Sequence, residues 1–74
     1  MAPANRLFEK RQNAVIERIR ALLTEKEMDQ RDLANKAGMK DSAIHRILAG
    51  DTNLTLRTIA RLEHALGTSL ISVP

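Results

Sequence analysis

Apolar residues recur at intervals of three and four through most of this chain, and breaks in that rhythm divide it into four helical segments and a short tail. The first segment carries Phe8, Val15, Ile16, Ile19, Leu22 and Leu23 on one face and predicts a helix of roughly five turns. It runs from Asn5, a possible N-cap, to about Leu23–Glu25. The opposite face mixes Glu9, Lys10, Arg11, Glu17, Arg18 and Arg20, which reads as solvation with weak local pairing. Residues 1–4, MAPA, offer little to bury and Pro3 disfavours helix at Ala2, so fraying is expected there. Leu7 and Phe8 precede the main stripe and either fold back onto the domain or meet a partner chain.

After a polar connection, Thr24 to Met28, come two short segments around a glycine. Asp29 is placed as an N-cap, and Asp32 can reach back to the free N–H groups of the first turn while complementing the positive helix end. Leu33, Ala34 and Ala37 form a narrow stripe that stops at Gly38, where a residue of positive φ must end the helix. A branched side chain at Gly38 is expected to be strained and to force the two helices apart. Met39 reads as a buried plug. A second short helix starts near Lys40 to Ser42, buries Ile44, Ile47 and Leu48, and ends at Gly50, leaving Asp41, Ser42, His45 and Arg46 on its other face. Ala34 is small enough to let the helices cross closely, so residues 29–50 read as a helix-turn-helix.

Beyond Gly50, the loop DTNL returns the chain and Thr55 caps a fourth helix, with Leu54 and Ile59 spaced for a hydrophobic staple. Leu56, Ile59, Leu62 and Leu66 form its expected buried stripe and Gly67 its stop. Glu63 lies beside that stripe, where it either pairs with an arginine of the first helix or turns to solvent, with a structural role in view. Residues 68–74, TSLISVP, have no helical period and read as a short extended tail. Leu70, Ile71 and Val73 either cover one side of the same domain or pair with a second tail across a two-fold axis.

Composition narrows the class. With 74 residues and 43% hydrophobic content, one domain over residues 1–74 with one modest core is expected. Phe8 is the only aromatic residue, and a core of Leu, Ile, Val, Ala and Met suits an all-α architecture. The absence of cysteine removes disulfides and thiolate metal sites. Charges within the first twenty residues exclude a signal peptide's apolar segment and no run could span a bilayer, so a soluble, cytoplasmic protein is expected. The formal charge of +3 has the right sign for a polyanion partner but carries little without the motif.

Catalysis is not expected. His45 and His64 lie on different helices without the histidine pairing or carboxylate cluster of a zinc site, and Asp41 with His45 suggests at most a local ion pair. His64 falls on a solvent face, and Gly38, Gly50 and Gly67 are helix stops rather than a phosphate loop. No cofactor and no metal are implied.

With Leu33-Ala34, Gly38, Ile44, Gly50 and Ala65-Leu66-Gly67, the chain resembles the Cro and phage-repressor-like (XRE-type) helix-turn-helix family over about residues 15–67. The resemblance implies a small four-helix, lambda-repressor-like domain whose second motif helix enters the DNA major groove. Two features depart from it: Glu63 stands where the family usually has a small apolar residue, and after Gly67 the further helix common in the family is missing. Carried over by position, the base readers are Lys40, Asp41, Ser42 and Arg46, with His45 a lesser candidate. Gln30 takes the place of the family glutamine that meets phosphate at the first motif helix's N-terminus, and Thr52 and Asn53 are phosphate contacts of low specificity. Arg46 is the leading base reader, since a guanidinium donates two bonds to guanine, while Lys40 suits base or phosphate. Asp41 is repelled by the DNA backbone unless it accepts from a cytosine amine, is neutralised by Lys40 or His45, or turns away. The resemblance thus implies a sequence-specific DNA-binding transcriptional regulator of the repressor type, bound to double-stranded operator DNA as a homodimer. The alternative is an antitoxin that neutralises a toxin enzyme and regulates its own operon, and a third reading is a helix-turn-helix that binds only proteins.

Overall fold

The computed structural model of the chain describes residues 3–71. Four helices follow one another: α1 (Pro3–Glu25), α2 (Gln30–Ala37), α3 (Asp41–Leu48) and α4 (Leu56–Leu66), with no strand among the described residues. The class is all-α, as the apolar spacing predicts. α1 begins at Pro3 rather than Asn5, so Pro3 and Ala4 are helical where fraying was expected, while Met1 and Ala2 lie outside the described residues. Proline fits a first helical position because its φ is already helical and its missing N–H would have had no partner there.

The core takes Val15, Ile16, Ile19, Leu22 and Leu23 from α1, Leu33 and Ala34 from α2, Ile44, Ile47 and Leu48 from α3, and Ile59, Leu62 and Leu66 from α4, with Leu70 added from the tail. Its centre is one fully buried branched side chain per helix: Ile19, Leu33, Ile44 and Leu62. Two members of the expected stripes are not in it. Phe8 is half-exposed because α1, at 23 residues and roughly 35 Å long, outruns the shorter helices packed against it. Leu56 is 75% exposed because, as the first residue of α4, its side chain leans back past the helix start, where only a loop precedes it. Met39 is half-buried against the core rather than fully enclosed.

The punctuation between helices is local chemistry. Asp29 and Asp32 form a reciprocal capping box: the Asp32 N–H donates to Asp29 Oδ1 at 2.8 Å and the Asp29 N–H to Asp32 Oδ2 at 3.3 Å. α2 ends at Gly38 with φ 68°, and the Met39 N–H returns to the Ala34 carbonyl at 2.9 Å. A Cβ built on Gly38 would meet nothing within 4 Å, so the turn needs glycine for its dihedral alone and a larger residue would not wedge the helices apart. Thr55 Oγ1 accepts from the Thr58 N–H at 3.1 Å and starts α4, and Gly67, at φ 65°, ends it.

Glu63 neither pairs with an arginine nor faces open solvent. Its Oε2 accepts the N–H groups of Leu70 at 2.7 Å and Ile71 at 3.3 Å. The tail from Thr68 to Ile71 is therefore a series of bends rather than an extended strand, because a helical domain offers no sheet edge and one carboxylate satisfies two of its donors. Leu70 is buried and Ile71 packs against the core, so these two cover their own domain. Val73 lies outside the described residues.

Two outcomes are expected. Gly38→Val should lose about 1–3 kcal/mol from a branched residue at positive φ, seen as a fall of about 4–8 °C in Tm per kcal/mol for a domain of this size; an unchanged Tm would show that the turn tolerates another conformation. Glu63→Ala should lose about 1–3 kcal/mol by leaving two partly buried N–H groups without an acceptor, and Glu63→Gln, which keeps one carbonyl oxygen, should lose less. Equal denaturant midpoints for wild type and Glu63→Ala would refute the tail anchor.

Candidate nucleic-acid interface

The crossing of α2 and α3 sets the site. Ala34 has no exposed surface and no side chain beyond a methyl, so α3 sits close against α2 and its polar face is held outward. That face and the start of α2 border an open cleft of about 820 Å³ lined by Asp29, Gln30, Arg31, Asp41, Ser42, His45 and Arg46. Five of the residues picked from the sequence, Gln30, Asp41, Ser42, His45 and Arg46, thus come together. Arg46 also borders a smaller depression of about 150 Å³ that includes Thr52 and Asn53. Those two join the site through Arg46. Lys40 lines neither depression; it is the exposed N-cap of α3, in extended conformation and without a side-chain capping bond. His64 is exposed on α4, away from the cleft lining.

Local rules explain what the cleft presents. The capping box occupies the Asp32 N–H, whereas the N–H groups of Gln30 and Arg31, in the first turn of α2, have no intrahelical acceptor and are left for an outside one. α3, with eight residues and a length of about 12 Å, matches the roughly 12 Å width of the DNA major groove. Ile44, Ile47 and Leu48 hold its inner face, so Asp41, Ser42, His45 and Arg46 are free to project.

Three contacts differ from the sequence reading. Asp41 is paired neither with Lys40 nor with His45: its Oδ2 lies 3.7 Å from Nε of Arg31, on the other motif helix. Arg31 itself was not singled out from the sequence, although its place beside Gln30 in the first turn of α2 was the available signal. Arg20, read as part of a solvated face, donates from Nη2 to the Leu48 carbonyl at 2.6 Å and so holds the C-terminal end of α3. The third contact, in which the Leu54 N–H donates to Gln12 Oε1 at 2.9 Å, fixes the loop that follows and had no sequence signal at all.

No group of His, Cys, Asp or Glu able to hold a metal ion occurs among the described residues, and none of the described helices is long and apolar enough to cross a membrane. Residues 19–72 match a family model described as helix-turn-helix, which covers most of the chain. The chain belongs to this family, the XRE type that includes Cro-like and phage-repressor-like proteins. The match runs past Gly67 through Leu70 and Ile71, so it includes the bent tail. No curated protein and no solved structure matches the chain.

Proposed function

We propose that this XRE-type DNA-binding regulator acts in the cytoplasm as a repressor-type transcription factor that recognises operator DNA as a homodimer. The observation that carries the reading is the cleft in which Gln30 of α2 and Arg46 of α3 border one surface, with α3 presented outward at the length of a groove-reading helix. In this reading α3 lies in the major groove, Arg46 donates to a guanine edge, and Ser42 and His45 lie along the same floor. Gln30 meets a phosphate at the free N–H groups of α2, Lys40 meets the backbone from the groove's rim, and Thr52 and Asn53 touch phosphate beside Arg46.

Two copies are proposed because one reader helix covers too few base pairs to select a site among genomic competitors. The described body measures 36 × 28 × 21 Å. Two such bodies in direct contact can therefore set their reader helices one DNA turn apart, about 34–36 Å, without a linker. An antitoxin role stands beside this reading on a separate observation. Phe8, Leu54, Leu56, Ile59 and Ile71 border an apolar groove of about 340 Å³ that shares no residue with the reader cleft. A protein partner there would leave DNA binding open. A stable complex with the product of an adjacent gene would favour the antitoxin; a homodimer with tight operator binding and no such complex would favour the regulator.

Selection of bound sequences from random DNA tests the main reading: an enriched inverted repeat is expected, and unenriched pools would end it. With the selected site in hand, Arg46→Ala should lose about 1–3 kcal/mol at the base pair it reads and relax discrimination there. Gln30→Ala should weaken the selected site and its single-base variants by a similar factor, with little change in salt dependence because no cation is removed. If Arg46→Ala weakens every variant equally, Arg46 is a backbone contact and the reader face is misplaced.

A further inference from the structure

Among the described residues there is one Lys/Arg–carboxylate ion pair, and it spans the candidate reader cleft: Arg31 from the first turn of α2 and Asp41 from the first turn of α3. The contact is a single one, Nε to Oδ2 at 3.7 Å, with side chains 78% and 60% exposed. An exposed pair of this kind is screened and worth little, and most of the guanidinium's five N–H donors are left without a carboxylate partner. The two ends sit in opposite situations toward a polyanion. Arg31 stands beside α2 N–H groups that have no intrahelical acceptor, where phosphate is favoured by both hydrogen bonding and the helix dipole. Asp41 opens the helix that would enter the groove, where phosphates repel it and only a base-edge amino group can donate to it; cytosine N4, which unlike adenine N6 has no N7 acceptor beside it, suits a carboxylate best.

We propose that Arg31 exchanges partners when DNA binds, leaving the Asp41 carboxylate for a backbone phosphate, and that the released Asp41 makes this exchange depend on sequence. The proposal rests on the DNA-binding reading above. On a site that places a cytosine amine against Asp41, Arg31 gains a phosphate and the carboxylate keeps a hydrogen-bond donor, so neither end is left without a partner. On sequences that present only acceptors or a methyl group there, the freed carboxylate has no donor and faces phosphate, so Arg31 stays occupied and one backbone contact per copy is not made. The pair thus lowers affinity for wrong sequences more than for the right one. Arg31 becomes a phosphate contact and Asp41 a specificity-determining residue.

The test is equilibrium titration of the full chain against the selected duplex and an unrelated duplex of equal length over a range of salt concentrations. Both residues are exposed, so folded variants are expected, and the melting temperature of each is measured alongside. Arg31→Gln should flatten the slope of log affinity against log salt on the selected duplex by about 0.9 per bound copy. Asp41→Asn should tighten binding to the unrelated duplex and reduce the ratio of selected to unrelated affinity by about tenfold, the scale of one lost base-specific contact. In the double variant, the gain on the unrelated duplex from Asp41→Asn should shrink, since no arginine remains to be released. An unchanged slope for Arg31→Gln, equal effects of Asp41→Asn on both duplexes, or strictly additive variants would each overturn the exchange while leaving DNA binding intact. A wild-type chain that binds neither duplex would overturn the DNA-binding reading itself, and the exchange with it.

Discussion

Packing of α2, with Leu33 and Ala34 fully buried, against α3 and α4 is the constraint from which the rest of the site follows. α2 and α3 have eight residues each, too few to persist as isolated helices in water, so their conformation depends on tertiary burial. That burial is supplied by a core with a single fully enclosed branched residue from each helix, Ile19, Leu33, Ile44 and Leu62. Truncating a core residue of this kind to alanine typically removes about 2–5 kcal/mol. A chain of 74 residues has a total stability on the order of 4–11 kcal/mol at the usual value per residue. The orientation of the reader face and the existence of the fold therefore rest on the same few side chains, and the outward polar residues need no packing role of their own.

Polar bonds of long sequence reach then fix what packing alone leaves free. Arg20 grips the last carbonyl of α3, where cations are favoured by the dipole, and Gln12 accepts the Leu54 N–H within the α3–α4 loop. Both come from α1, so the longest helix serves as a brace behind the reader helix as well as a wall of the core. Glu63 does the corresponding work at the C-terminal end, holding Leu70 over the core through two backbone donors. Such bonds are worth about 0.5–1.5 kcal/mol net, and about 1.5–3 kcal/mol where one partner is charged as at Arg20 and Glu63. Their effect is directional: they choose one arrangement among several that would bury similar area.

What the sequence made legible is what depends on residues within about four positions of one another. The Asp29–Asp32 capping box, the left-handed turn at Gly38, the Thr55 cap and the buried stripes of α3 are all local patterns, and each has a fixed spacing. That Gln30, Asp41, Ser42, His45 and Arg46 would border one surface was reachable because two helices joined by a short turn leave little freedom in how their outer faces meet. Partners set by the crossing were not reachable. Arg31 meets Asp41 only once α2 and α3 are packed, Arg20 meets Leu48 across 28 positions, and Gln12 meets Leu54 across 42. Glu63 looked anomalous because its partner is a pair of backbone N–H groups, which carry no side-chain signature. Leu56 was assigned to the core by periodicity, but a helix's first residue leans away from the body that the later turns pack against.

Charge follows from the same geometry. The net charge of +3 is modest, and the cleft itself holds two arginines against two aspartates, Arg31 and Arg46 against Asp29 and Asp41. Asp29 is committed to the α2 cap, which it satisfies through the Asp32 N–H. Its charge is therefore already bound into the helix terminus rather than available to Arg31 or Arg46. Of the two carboxylates, only Asp41 can change partner without unwinding a helix end. Long-range attraction to a polyanion is correspondingly weak for so small an excess of cations, and the one ion pair of the cleft is exposed and easily broken. In the proposed exchange, specificity comes less from adding positive charge than from where the Asp41 carboxylate is allowed to go.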